Sequence, residues 1–159
     1  MSRAPQDAGT ASTIKALERY VNGMVGESSR IVQSVAVMPL APSEQTTVAT
    51  SSSSGRRSIV LAQKGIALRA PEAAYILERT LAGTVHRDYV YVGGAQYMIT
   101  SVHRRSFYGR LMSSVAAGGC VIAKTNKLLV VATYAAPALA AEAIPQVEQF
   151  FDELSKLDY

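Results

Sequence analysis

A chain of 159 residues can bury one hydrophobic core and is too short to call for a second domain. With 48% hydrophobic and 18% charged residues, wholesale disorder is excluded. The net charge of +4 is unevenly spread: residues 71–127 carry seven Lys/Arg against three Asp/Glu, and residues 128–159 carry one against five. A basic middle suits an acidic protein, an anionic membrane face or nucleic acid, and equally suits plain solubility.

The single cysteine, Cys120, excludes an intrachain disulfide framework. The first ten residues hold no apolar signal core, and the uncharged run Leu128–Ala141 is too short and interrupted to span a bilayer. A cytoplasmic protein is the expectation.

In chain order, residues 1–11 are small and polar and read as a flexible tail before a single domain over 12–159. Ser12 or Thr13 can cap a helix in which Ile14, Leu17, Val21 and Met24 keep helical spacing. Gln33–Leu40 reads as a strand, and Ser58–Gln63 as its hairpin partner across an oversized Pro/Ser-rich loop near 41–57. Pro71 and Glu72 open a second helix that Gly83 can end. Gly93–Gly94 is a turn between two β-rich runs. Arg105–Leu111 alternates, Phe107 and Leu111 falling on one face and Arg104, Ser106, Tyr108 and Arg110 on a wet one.

Gly118–Lys124 and Leu128–Tyr134 form a hairpin whose return strand is apolar throughout. Such a strand must be covered on both faces, which demands helices on both sides of the sheet. The short turns make that sheet mainly antiparallel, with about six or seven strands. A last helix carries Val147, Phe150, Phe151 and Leu154 as its stripe, with Pro145 either in its first turn or kinking it. The expected class is α+β.

Catalytic and metal motifs are missing from the sequence: no phosphate-binding glycine loop, no paired cysteines, no HExxH, and two isolated histidines, His86 and His103. Cys120 sits in an apolar strand, where a thiol behaves as a small hydrophobe. Neither a catalytic residue, a metal nor a cofactor is expected. The basic middle lacks the interleaved aromatics and glycines of RNA-binding modules, so no nucleic-acid partner is expected.

Val92–Ile99, Tyr108–Arg110, Gly118–Tyr134 and a final amphipathic helix ending in Tyr159 resemble profilin, a small actin-monomer-binding family. Ala16–Val25, Ser58–Gln63 and Ala70–Leu77 are similar to it more weakly. The resemblance implies a profilin-like fold: a central antiparallel sheet, both terminal helices on one face and a further helix on the other. The tail, the 41–57 segment and about three residues of Met112–Ala117 look like insertions.

The resemblance also implies function. Monomeric actin would be held by Arg110, Lys124, Leu139, Ala141 and Gln149, with Ile144 and Pro145 between them. Proline-rich segments would lie between the terminal helices at Leu17, Tyr20, Leu61, Glu153 and Tyr159. Three of those positions have lost the family's rings, tryptophan becoming Leu17 and Leu61, so weak or absent polyproline binding is expected. Phosphoinositides would meet Arg104, Arg105 and Arg110, with Arg56 and Arg57 in the long loop. A cytoplasmic, cytoskeletal monomer follows. The alternative is a profilin-like adaptor that binds other proteins without actin.

Overall fold

A computed structural model describes residues 4–25, 31–41, 48–49 and 57–156. The first helix, α1 (Ala4–Met24), begins well before the expected cap at Ser12 or Thr13. Proline is tolerated in a first turn and an acidic residue there complements the helix dipole. Pro5 is compatible with that first turn, and residues read as a tail belong to the helix. Further along, Leu17, Val21 and Met24 bury the stripe that their spacing predicts.

The strands are β1 (Val32–Pro39), β2 (Val48–Ala49), β3 (Arg57–Ser58), β4 (Ala62–Lys64), β5 (Tyr89–Val92), β6 (Ala95–Val102), β7 (Ser106–Leu111), β8 (Gly118–Lys124) and β9 (Leu128–Ala135). Seven of them form one sheet in the order β4-β1-β9-β8-β7-β6-β5, and β2 and β3 pair separately. Every pairing is antiparallel, as the short turns require. The β1–β4 hairpin forms, but the second strand pairs only from Ala62, set Val37 to Ala62, rather than from Ser58. Most of the Pro/Ser-rich segment, including Arg56, lies outside the described residues.

Strand β9 lies between β1 and β8, and its alternate side chains enter two different cores. Leu128, Val130, Ala132 and Tyr134 pack with α1 and α3 (Ala140–Lys156), whose Val147, Phe150, Phe151 and Leu154 are all buried. Leu129 and Val131 pack on the opposite side with Ala73, Ile76 and Leu77 of α2 (Ala70–Leu81). Covering by helices on both faces explains an uninterrupted apolar strand. Pro145 lies inside α3, beyond its first turn.

Helix α2 is also a clamp. Glu72 accepts from the Arg69 N–H at 2.9 Å, closing the first turn, and from the Gly93 and Gly94 N–H groups at 2.8 and 2.9 Å. Gly93 and Gly94 have φ of 59° and 83°, the left-handed pair that a tight β5–β6 hairpin needs. The helix stops at Gly83, φ 71°, where the Thr84 N–H donates to the Arg79 carbonyl.

Candidate functional site

Strand β7 decides what the sheet shows to solvent. Phe107, Gly109 and Leu111 turn toward the α2 side, and Ser106, Tyr108 and Arg110 toward the side of the terminal helices. The latter three are not equally wet. Ser106 is buried and the Tyr108 hydroxyl donates to Glu148 of α3 at 2.7 Å, so α3 roofs this end of the strand. Expecting all of them to be solvated fails because a helix that the local alternation cannot reveal lies across half of the face. Arg110 emerges beyond it, exposed.

The register then builds a row across five strands. Tyr89 lies opposite Met98, Met98 opposite Arg110, Arg110 opposite Gly119 and Gly119 opposite Tyr134. Residues directly opposite share a face and touch. Tyr89 and Met98 are 41% and 40% exposed, so one cation sits beside bare apolar surface. Gly119 is required at its place, since a Cβ there would fall on the Tyr134 hydroxyl and the Gly109 carbonyl. Tyr89 and Met98 were not among the sequence candidates. Their signal was an apolar residue on the wet phase of an edge hairpin, visible only once the register is known.

The remaining actin candidates divide. Leu139 and Ala141 are exposed at the start of α3, where the Leu139 carbonyl accepts from Glu142 and Ala143. They lie at the Arg110 end of the sheet, because Gly118 pairs with Ala135 and the Ala136 N–H donates to Ala117. Gln149 is exposed further along the helix. Lys124 lies away from this group. It lies five steps along β8 from Gly119, about 16 Å at the strand rise, and its phase is that of Cys120 and Ile122, on the α2 side. The resemblance implied that it shares a surface with Arg110; the pleat and strand length separate them.

Arg105 is engaged as well. Its Nη2 donates to Asp152 Oδ1 at 2.7 Å and lies 3.6 Å from Glu148 Oε2, and the Asp152 bond raises the guanidinium pKa further. Arg104 is exposed. Burial and the bond to Glu148 push the Tyr108 hydroxyl up, with His103 packed on its ring at 4.4 Å. Arg105, Tyr108, Glu148 and Asp152 therefore fasten α3 to the sheet.

Between α1 and α3 runs a groove of about 500 Å³ lined by Arg19, Tyr20, Met24, Phe150 and Glu153. Tyr20 and Phe150 meet at 6.3 Å with planes tilted by 56°. Leu17 and Leu61 do not line it: both are buried in the core. Tyr159 lies outside the described residues. With Phe150 buried, the groove presents one partly exposed ring, Tyr20, and has Arg19 and Glu153 of opposite charge in its lining.

On the α2 side, burial pushes the Cys120 thiol up to about 12, which removes a thiolate nucleophile at neutral pH. Among the described residues, no helix is long and apolar enough to cross a membrane.

The profilin family model matches residues 17–159. Solved structures of similar fold include Schizosaccharomyces pombe profilin, 19% identical with a TM-score of 0.68, covering 89% of this chain and 98% of that one. Mouse profilin IIa in complex with a double repeat from the FH1 domain of mDia1 is 10% identical, with a TM-score of 0.61 over 89% and 97%. LokiProfilin1 in complex with rabbit actin is 12% identical, with a TM-score of 0.56 over 99% and 98%. Among curated proteins none matches the sequence. With its family model spanning nearly the whole chain and its sheet and helices arranged as in solved profilins, the chain belongs to the profilin family.

Proposed function

We propose that this member of the family binds monomeric actin and so regulates its polymerisation, acting by association and without catalysis, in the cytoplasm and cytoskeleton. The observation that carries the reading is the row Tyr89–Met98–Arg110, an apolar face with one cation left open beside the start of α3. Support comes from a LokiProfilin1 of the same fold that was solved with rabbit actin. An acidic actin surface would be steered by Arg110 and held by the apolar contacts around it.

Polyproline binding is weak or absent in this reading. The groove between the terminal helices presents one partly exposed ring, Tyr20, with Phe150 buried behind it, where stacking on a proline helix favours a broader aromatic platform, and Arg19 and Glu153 would have to be desolvated. Anionic lipid headgroups would meet Arg104 freely but Arg105 only after it releases Asp152.

Calorimetric titration against monomeric actin tests the proposal. Saturable one-to-one binding at micromolar concentrations is expected, about −6 to −8 kcal/mol. No heat at tens of micromolar would overturn it and leave an adaptor with a profilin fold.

A further inference from the structure

The β7–β8 connection, Met112–Ala117, begins two residues beyond Arg110 and carries no charge. We propose that this loop is an apolar extension of the actin-binding face, with Val115 as the anchor that enters an apolar hollow on actin. The inference rests on the actin reading above and names the residue that supplies its hydrophobic contact.

Val115 is 94% exposed, more than any other large apolar residue described. Its loop is nonetheless held. Ser113 Oγ accepts from the N–H groups of Val115 and Ala116 at 3.2 and 3.1 Å, which fixes the tip. The Met112 N–H donates to the Gln96 carbonyl at 2.8 Å, tying one stem to β6, and the Ala117 carbonyl accepts from Ala136 at 2.9 Å, tying the other to the end of β9. The second tie fixes the loop to the segment that runs on into Leu139, itself 62% exposed. Arg110 and Leu111 line, with the loop, a hollow of about 350 Å³.

A singly exposed hydrophobe needs no explanation. Here exposed Met98 lies opposite Arg110 and exposed Val115 shares a hollow with it, while Met112 and Leu139, also exposed, lie at the same end of the sheet. Such a pattern divides the labour of an interface: the rim charge guides encounter, and an apolar anchor in a pocket slows dissociation. No charged residue lies between Arg110 and Lys124, so burying the tip strips no ion of water. A loop already fixed by Ser113 also loses little freedom on binding. Actin is the occupant because the tip shares a hollow with Arg110, the cation of the face proposed above for actin, and that hollow has no lining residue in common with the α1–α3 groove.

The test is to titrate wild type, Val115→Asp and Val115→Ala against monomeric actin, with a thermal melt of each. Val115→Asp is expected to weaken binding at least about tenfold, chiefly through faster dissociation, and Val115→Ala to weaken it less, with melting temperatures unchanged because the side chain has no place in the core. Wild-type binding with both variants within twofold would overturn the role of Val115 and leave the actin reading intact. Failure of the wild type itself to bind would overturn the actin reading, and this inference with it.

Discussion

Reversing the charge at position 110 separates steering from stability. Arg110 is exposed and projects past the helix that covers Ser106 and Tyr108. Two unit charges 4 Å apart interact by about 1 kcal/mol in water and about 4 kcal/mol at the effective dielectric of a protein surface. Arg110→Glu replaces one such attraction with a repulsion, so a loss of at least about 1.4 kcal/mol, tenfold in affinity, is the minimum expected. Most of it should appear in the association rate and shrink with added salt, since rim charges act on encounter. Stopped-flow mixing with monomeric actin at two ionic strengths reads both quantities. Arg105→Gln is the internal control: it removes the 2.7 Å ion pair with Asp152, costs about 1 kcal/mol or less for so exposed a pair, and leaves the Arg110 surface in place. An unchanged association rate for Arg110→Glu, or equal losses for both variants, would refute the reasoning.

Decaproline should show no saturable binding, and micromolar affinity would mean that Tyr20 and the groove around it suffice as a platform. Phe151→Ala, which empties a fully buried position that joins α3 to the sheet, should cost about 3–5 kcal/mol in urea unfolding; under about 1 kcal/mol would show that α3 is not part of the cooperative core. Alkaline pH should destabilise the protein. Burial raises the Cys120 thiol from 9.0 to about 12 and the Tyr97 hydroxyl from 10.0 to about 12, so the folded state favours both neutral forms. That stabilisation is complete below about pH 9 and is lost as pH rises toward 12. Urea midpoints measured from pH 8 to 11 should fall, and fall less steeply in Cys120→Ala; identical slopes would remove Cys120 from the account.

Much of the fold was legible because its signals are local. The apolar run Leu128–Tyr134 demanded cover on both faces, and the alternation of Val130 and Ala132 with Leu129 and Val131 between two cores is that demand met. Pro71, Glu72 and Gly83 marked the limits of α2 through backbone chemistry that needs no tertiary partner, although the grip of Glu72 on Gly93 and Gly94 was invisible at separations of 21 and 22 residues. The start of α1 was missed because small polar residues carry no periodicity to read.

The site was less legible. Sequence alone determined which residues exist to bind: one arginine at the outer end of β7, an apolar start to α3, and two leucines in place of rings. Only the tertiary structure decided who stands beside whom. Register set Tyr89 and Met98 next to Arg110, the pleat turned Lys124 to the other side, α3 drew Arg105 and Tyr108 into its own fastening, and the core took Leu17 and Leu61. The physical reason is that a strand's phase shows which residues share a face, whereas exposure depends on what crosses that face from elsewhere in the chain.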